Sequence, residues 1–143
     1  MRLTMASDYA LRVLLFAAAH GDRMVTIDEM LAAHDISRGH LMKVVRELAT
    51  ASLLRSQRGR GGGFTLGRPP EAIPLGEVVR VTEPDFQMVE CFGPGSNCSI
   101  IPACRLPGVL NKALAAYMDV MDAHTLRDVL LRPEDFGVPQ GAS

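Results

Sequence analysis

No apolar run in this 143-residue chain approaches the ~20 residues that a bilayer-spanning helix requires. Asp8 and Arg12 interrupt the N-terminus before a secretory apolar stretch can develop, so no signal peptide is expected. The expected compartment is the cytoplasm, and no membrane partner is expected. Cysteine is scarce and odd in number, at three residues. In a reducing compartment these read as thiols or metal ligands rather than as a disulfide framework. No internal repeat is present. No Ser-His-Asp set, no paired carboxylates and no histidine at metal spacing to the cysteines is evident, so no motif supports catalysis and an enzyme is not expected. Net charge is also nearly absent, at −1.

What is present is the balance of a soluble globular protein, with 48% hydrophobic and 22% charged residues. The length suits one domain, or one domain with a long appended element. The small net charge hides a strong segregation. Residues 38–68 carry Arg38, Lys43, Arg46, Arg55, Arg58, Arg60 and Arg68 against Glu47 alone. The rest of the chain holds eight basic and fifteen acidic residues. Positive charge concentrated in this way points to a polyanionic partner.

The elements agree with that partner. Residues 5–20 read as a helix whose inner face is Leu11, Leu14, Leu15 and Ala18, closed by Gly21. Thr26 to Glu29 form a capping box for a short helix ending near Ala33. Ser37 caps a third helix with Leu41, Val44, Val45 and Leu48 inside and Arg38, His40, Lys43 and Arg46 outside. A basic second helix after a short one is a helix-turn-helix pattern. Leu53 to Gln57 and Phe64 to Leu66 read as strands around Arg58 to Gly63, where four glycines in six residues impose a turn. That hairpin is the wing of a winged helix, with Arg58 and Arg60 facing phosphate. Leu75 to Thr82 form a short helix. Leu106 to His124 form a long one, with a packing seam at Leu106, Leu110, Ala113, Tyr117 and Val120. His34 and His124 read as surface or core polar residues, and the methionines as fillers of core gaps.

Between the last two helices lies an irregular stretch, 83–105, with Cys91, Cys98 and Cys104 spaced Cys-x6-Cys-x5-Cys. A loop this long inside a small domain tends to be functional. The spacing is too wide for a zinc knuckle, and soft thiolates on a loop suit an iron–sulfur cluster. Three ordinary small side chains, or a zinc site, remain the other readings of the spacing alone. Three thiolates leave a four-ligand cluster one ligand short.

Several segments together carry a resemblance from Met1 to about Val129. They are Met1 to Thr4, Ser7 to Arg12, His40 to Val45, Arg58 to Phe64, Gly76 to Arg80, Val89 to Phe92, the three cysteines, and Thr125 with Leu126. The chain resembles the winged-helix iron–sulfur regulators, a family of nitric-oxide-sensing repressors and regulators of cluster biogenesis. The resemblance implies a homodimer, a cluster on Cys91, Cys98 and Cys104, and operator DNA binding that depends on it. In the cluster-biogenesis members a histidine three residues past the last cysteine completes a [2Fe–2S] site, and here that position is Pro107. In the nitric-oxide sensors an aspartate on the partner's first helix completes a [4Fe–4S] site, and Asp8 matches it. The residues alone read Asp8 as a helix-surface carboxylate paired with Arg12 at i+4.

The expected fold is mainly α: a winged helix-turn-helix with a two-stranded wing and a long C-terminal dimerisation helix. The expected parts are a DNA-binding domain at 1–82, a cluster-binding loop at 83–105, a dimerisation helix with a following short helix at 106–131, and a flexible tail at 132–143. The expected function is repression released when nitric oxide destroys a [4Fe–4S] cluster, with [2Fe–2S] less favoured. The alternatives are a regulator of the same fold sensing iron, cluster supply or redox state, and a zinc- or thiol-based protein-interaction module.

Overall fold

The computed structural model describes residues 1–137. Helix α1 spans Met5–Ala19, α2 Ile27–Ala33 and α3 Arg38–Thr50. Strands β1, Leu54–Gln57, and β2, Gly63–Leu66, form an antiparallel hairpin. Helices α4, Leu75–Thr82, and α5, Leu106–Ala123, follow, with single helical turns at Pro70–Ala72, Glu90–Phe92, Leu126–Val129 and Pro133–Phe136. This is the mainly α winged helix-turn-helix that the sequence predicts.

The helix starts are local chemistry. The Thr4 hydroxyl accepts from the Ser7 amide at the start of α1. Thr26 and Glu29 exchange hydrogen bonds of 3.1 and 2.8 Å at α2, and the Ser37 hydroxyl accepts from the His40 amide at α3. Each satisfies amides that the first helical turn leaves without partners. The wing is tied to the body through Val25, whose amide and carbonyl both bond Phe64, at 3.0 and 2.7 Å. Gly63 lets that happen: its φ is +149°, and a Cβ there would lie 2.2 Å from the Val25 carbonyl oxygen.

The core gathers Val13, Leu14 and Ala17 of α1 with Leu41, Val44 and Leu48 of α3, all buried. Leu53, Phe64, Ile73, Val78 and Leu126 close it. The buried face of α1 is Ala10, Val13, Leu14 and Ala17, one residue out of phase with the expected stripe, whose Leu11, Leu15 and Ala18 are only partly buried. Both stripes satisfy helical spacing. A polar contact fixes the phase: Ser7 lies on the Ala10–Leu14–Ala17 side and is fully buried. Its hydroxyl pairs with Thr82 at 2.7 Å and donates to Glu83 at 2.6 Å. Glu83 also accepts from the Thr4 amide and hydroxyl, at 2.7 and 3.0 Å. One carboxylate at the end of α4 thereby holds the start of α1.

Helix α5 rests on α4. Arg80 donates twice to Asp122, both at 2.7 Å, and Asp122 occupies the space a side chain on Gly76 would fill, 1.8 Å from a built Cβ. Leu126 is completely buried. Yet α5 itself buries no residue fully. The expected seam divides between two sides. Leu110 and Tyr117 are half-buried, whereas Leu106, Ala113 and Val120 are exposed. A continuous exposed apolar stripe runs Leu106, Val109, Ala113, Ala116, Val120, Ala123, with 3-4-3-4-3 spacing. The helix is apolar over more than half its circumference, so spacing alone selected a mixture of two adjoining faces.

The tail expected at 132–143 differs at its beginning. Residues 133–136 form a helical turn that seats Phe136 edge-on against Phe16, 5.2 Å between ring centroids, and against His34 at 5.9 Å. One aromatic ring outweighs the two prolines and two glycines that gave the segment its irregular look. The remainder of that tail lies outside the described residues.

Burial alone would raise the Glu83 pKa, but hydrogen bonds from Ser7 and Thr4 outweigh it and hold the carboxyl below its ordinary value. Its stabilisation is therefore complete above the unfolded-state pKa and is lost as pH falls through the lower folded-state value. Glu83→Gln should cost about 2 kcal/mol at neutral pH, as expected for hydrogen bonds to a charged acceptor. It should also flatten the stability profile below about pH 4.5, where urea titration of wild type shows a slope.

Candidate nucleic-acid interface and cysteine loop

Helices α2 and α3, joined through residues 34–37, project α3 from the body with its apolar face buried. Arg38, Lys43 and Arg46 are exposed along the opposite face. His40 departs from the expected outward set. It is half-buried and stands edge-on to Tyr9 of α1, 4.9 Å between ring centroids. Arg38 is partly engaged, its guanidinium paired with Asp28 of α2. The wing turn exposes Arg58 and Arg60. Among the described residues, Lys43, Arg46, Arg55, Arg58 and Arg60 form no salt bridge. Five cations without carboxylate partners on adjoining elements make a field that attracts polyanions. Arg55, exposed on β1, was visible in the charge count but not in the helix-and-wing pattern. Arg68 is instead spent inside the fold, on Glu77 and the Ala72 carbonyl.

Asp8 lies on the exposed side of α1 and accepts two hydrogen bonds from Arg12, at 3.1 and 3.0 Å. The i,i+4 pair read from the residues is formed. The Arg12 guanidinium also lies 5.7 Å from the Tyr9 ring centroid. A continuous run of contacts therefore joins Asp8, Arg12, Tyr9 and His40, from the surface of α1 to the first turns of α3. No motif signalled this run. Its only sequence trace is the spacing of Asp8 and Arg12.

All three cysteines are free thiols, with Cys91 and Cys104 half-buried and Cys98 exposed. Cys91 sits in the turn Glu90–Phe92, and Cys104 lies two residues before the start of α5. Their chemistry fits a thiolate-held metal centre: soft donors, unpaired, on one loop anchored between two helices. Among the described residues no three His, Cys, Asp or Glu side chains converge on one point. A metal centre would have to draw the thiols together.

A capped helix pair, a basic exposed helix face and an arginine-bearing wing define a winged-helix DNA-binding regulator. The chain belongs to the Rrf2 family, described as iron-dependent transcriptional regulators, which matches residues 3–132. It is 48% identical over 137 residues to the HTH-type transcriptional regulator NsrR of Bacillus subtilis (strain 168), covering 94% of both chains. With NsrR of Bacillus licheniformis it shares 46% over 136 residues, 94% of this chain and 95% of the relative. Among solved structures, T. potens IscR superposes with a TM-score of 0.71 at 25% identity, covering 99% of this chain and 94% of that one. CymR, the global cysteine regulator of B. subtilis, gives 0.68 at 25%, covering 90% and 95%. The protein is a DNA-binding transcriptional repressor and not an enzyme. The interaction-module reading falls away. No described helix is long and apolar enough to cross a membrane.

The wing assignment is checked by salt dependence. Arg58→Ala with Arg60→Ala should weaken binding about evenly across DNA sequences. Each lost phosphate contact should lower the salt slope by roughly 0.9. An unchanged slope in the double variant would place the phosphate contacts elsewhere.

Proposed function

We propose that this protein is a homodimeric cytoplasmic repressor whose operator binding depends on a [4Fe–4S] cluster that nitric oxide destroys. Cys91, Cys98 and Cys104 would hold the cluster in one subunit, and Asp8 of the partner subunit would complete it. When bound, the cluster supplies iron sites that nitric oxide attacks. The observation that carries the reading is the contact run Asp8–Arg12–Tyr9–His40. Asp8 shares its charge with Arg12, so a carboxylate taken up elsewhere releases the guanidinium. Arg12 rests over Tyr9, and Tyr9 buttresses His40 of α3. The state of Asp8 is thereby felt at the helix that faces DNA. In a dimer this sets the separation of two recognition helices, which must match one helical turn of DNA, ~34–36 Å. The resemblance of the chain to the nitric-oxide-sensing repressors supports nitric oxide as the signal.

The apolar stripe of α5 is the surface we assign to the partner subunit. Val109 is 62% and Val120 59% exposed, while the opposite edge of the helix carries Asp122, already spent on Arg80. Val109→Glu should bury an unpaired carboxylate in the dimer, giving a monomer by sedimentation and loss of operator binding. Because Val109 touches little of its own chain, the monomer keeps its fold. A dimer of wild-type stability would move the interface.

The deciding experiment is anaerobic purification with iron and sulfide analysis per chain. Titration with nitric oxide, iron chelator and peroxide follows, read by DNA retention. Nitric oxide should release DNA at the lowest equivalence. Release by chelator first would favour sensing of iron supply, and release by peroxide first would favour redox sensing. Alanine at any of the three cysteines should abolish a stable cluster without unfolding the protein. A variant keeping full iron and full affinity would remove that cysteine from the ligand set.

Asp8→Ala should retain some iron, because an oxygen donor is the weakest of the four attachments, and should weaken the dependence of DNA affinity on the cluster. Asp8→Cys should keep the cluster and dull the response to nitric oxide. A holo-dimer in which the fourth ligand is a histidine, or Asp8 of the same chain, would overturn the assignment.

A further inference from the structure

The exposed face of α3 contains one large apolar side chain, which the basic pattern does not account for. Met42 is 47% exposed and lies outside the core cluster. It is the fifth residue of the thirteen-residue helix. At about 100° per residue, Arg38, Met42, Arg46, Gly39 and Lys43 occupy one arc in that order, so Met42 lies inside the cationic strip. Nothing covers it. The Arg38 guanidinium is drawn away to Asp28 of α2, and a side chain on Gly39 would meet nothing within 4 Å.

An apolar thioether adds nothing to a phosphate-binding surface. It cannot donate a hydrogen bond, and it is at best a weak acceptor. Placed in the first half of a recognition helix it lies where such helices meet base edges. In the major groove those edges are mostly hydrogen-bonding groups, and the apolar group that projects among them is the C5-methyl of thymine. An unbranched, adaptable side chain suits contact with that group.

We propose that Met42 is a specificity-determining residue that reads the C5-methyl of a thymine in each operator half-site. The proposal rests on α3 being the DNA-reading helix of the function proposed above, and does not depend on the identity of the metal centre. Lys43 and Arg46 flank the same strip and hold the helix to the phosphates, so that the Met42 contact adds sequence preference to a largely electrostatic affinity.

The test uses full-length protein purified anaerobically and duplexes that it selects from a random-sequence pool. Each thymine is replaced singly by deoxyuridine, which keeps the base pair and the O4 acceptor and lacks only the methyl group. Wild type should lose roughly fourfold in affinity at one thymine of each half-site, the effect of one buried methyl. Met42→Ala, which removes the contact from both half-sites, should bind the unmodified duplex more weakly by about fourfold for each half-site, roughly sixteenfold in all, and be insensitive to the replacement. Met42→Leu, with an apolar side chain of similar volume, should retain the sensitivity, and Lys43→Ala should lose affinity while retaining it. An identical deoxyuridine profile for Met42→Ala and wild type would overturn the proposal, as would a wild-type profile in which no thymine matters. Wild type that selects no duplex at all would remove the DNA-reading function together with the proposal. Tight binding with an unchanged profile overturns the role of Met42 alone.

Discussion

The structure depends on how α1 is held. Its inner face, Ala10, Val13, Leu14 and Ala17, is the floor on which α3 and α4 pack. Its rotation is fixed by a small polar knot in which buried Ser7 meets Thr82 and Glu83. A rotation of one residue would bury Asp8 or expose Ser7, and would separate Tyr9 from His40. The hydrophobic drive toward burial is non-directional, and this helix offers it more than one apolar stripe. The directional hydrogen bonds of Ser7 and Glu83 select among them. They also tie the start of α1 to the root of the cysteine loop, which leaves α4 directly after Glu83.

From that placement follows the relation between two surfaces. Among the described residues, Lys43 and Arg46 of α3 and Arg55, Arg58 and Arg60 of the wing face outward without carboxylate partners, while Arg38, Arg68, Arg80 and Arg12 are engaged by Asp28, Glu77, Asp122 and Asp8. The same residue type thus serves two purposes, and pairing separates them. Arginines spent on carboxylates fix α4, α5 and the surface of α1. Unspent ones remain available to phosphate. Met42 among the unspent cations is consistent with a surface that needs sequence preference as well as attraction.

Helix α5 occupies a different position in this economy. It is docked through Arg80–Asp122 and through Leu126, yet presents an apolar stripe that the single chain leaves in water. A helix apolar on two adjoining sides satisfies one with its own body, and the other is the face proposed for a second subunit. The resulting geometry would set the two recognition helices at a distance governed by α4 and α5 together.

Much of this was legible in the sequence because it is local. Capping residues Thr26, Glu29 and Ser37, the glycine-rich turn of the wing, and the helical repeat of Leu41, Val44, Val45 and Leu48 act within a few residues of one another. Their hydrogen bonds and periodicities are therefore written in short stretches. The candidate ligands Cys91, Cys98, Cys104 and Asp8 stood out through their residue types and their resemblance to a family, not through any visible convergence. What only the tertiary structure decided is phase and partnership. It chose Ala10 over Leu11 for the core, turned His40 onto Tyr9, drew Arg38 to Asp28, and split the α5 seam between two faces. It also gave Phe136 a place against Phe16 in a segment with no periodicity. Each of these outcomes turns on residues far apart in the chain whose competition is settled by shape and hydrogen-bond direction. A linear pattern of apolar and charged positions carries the candidates for those contacts but no information about which of them meet.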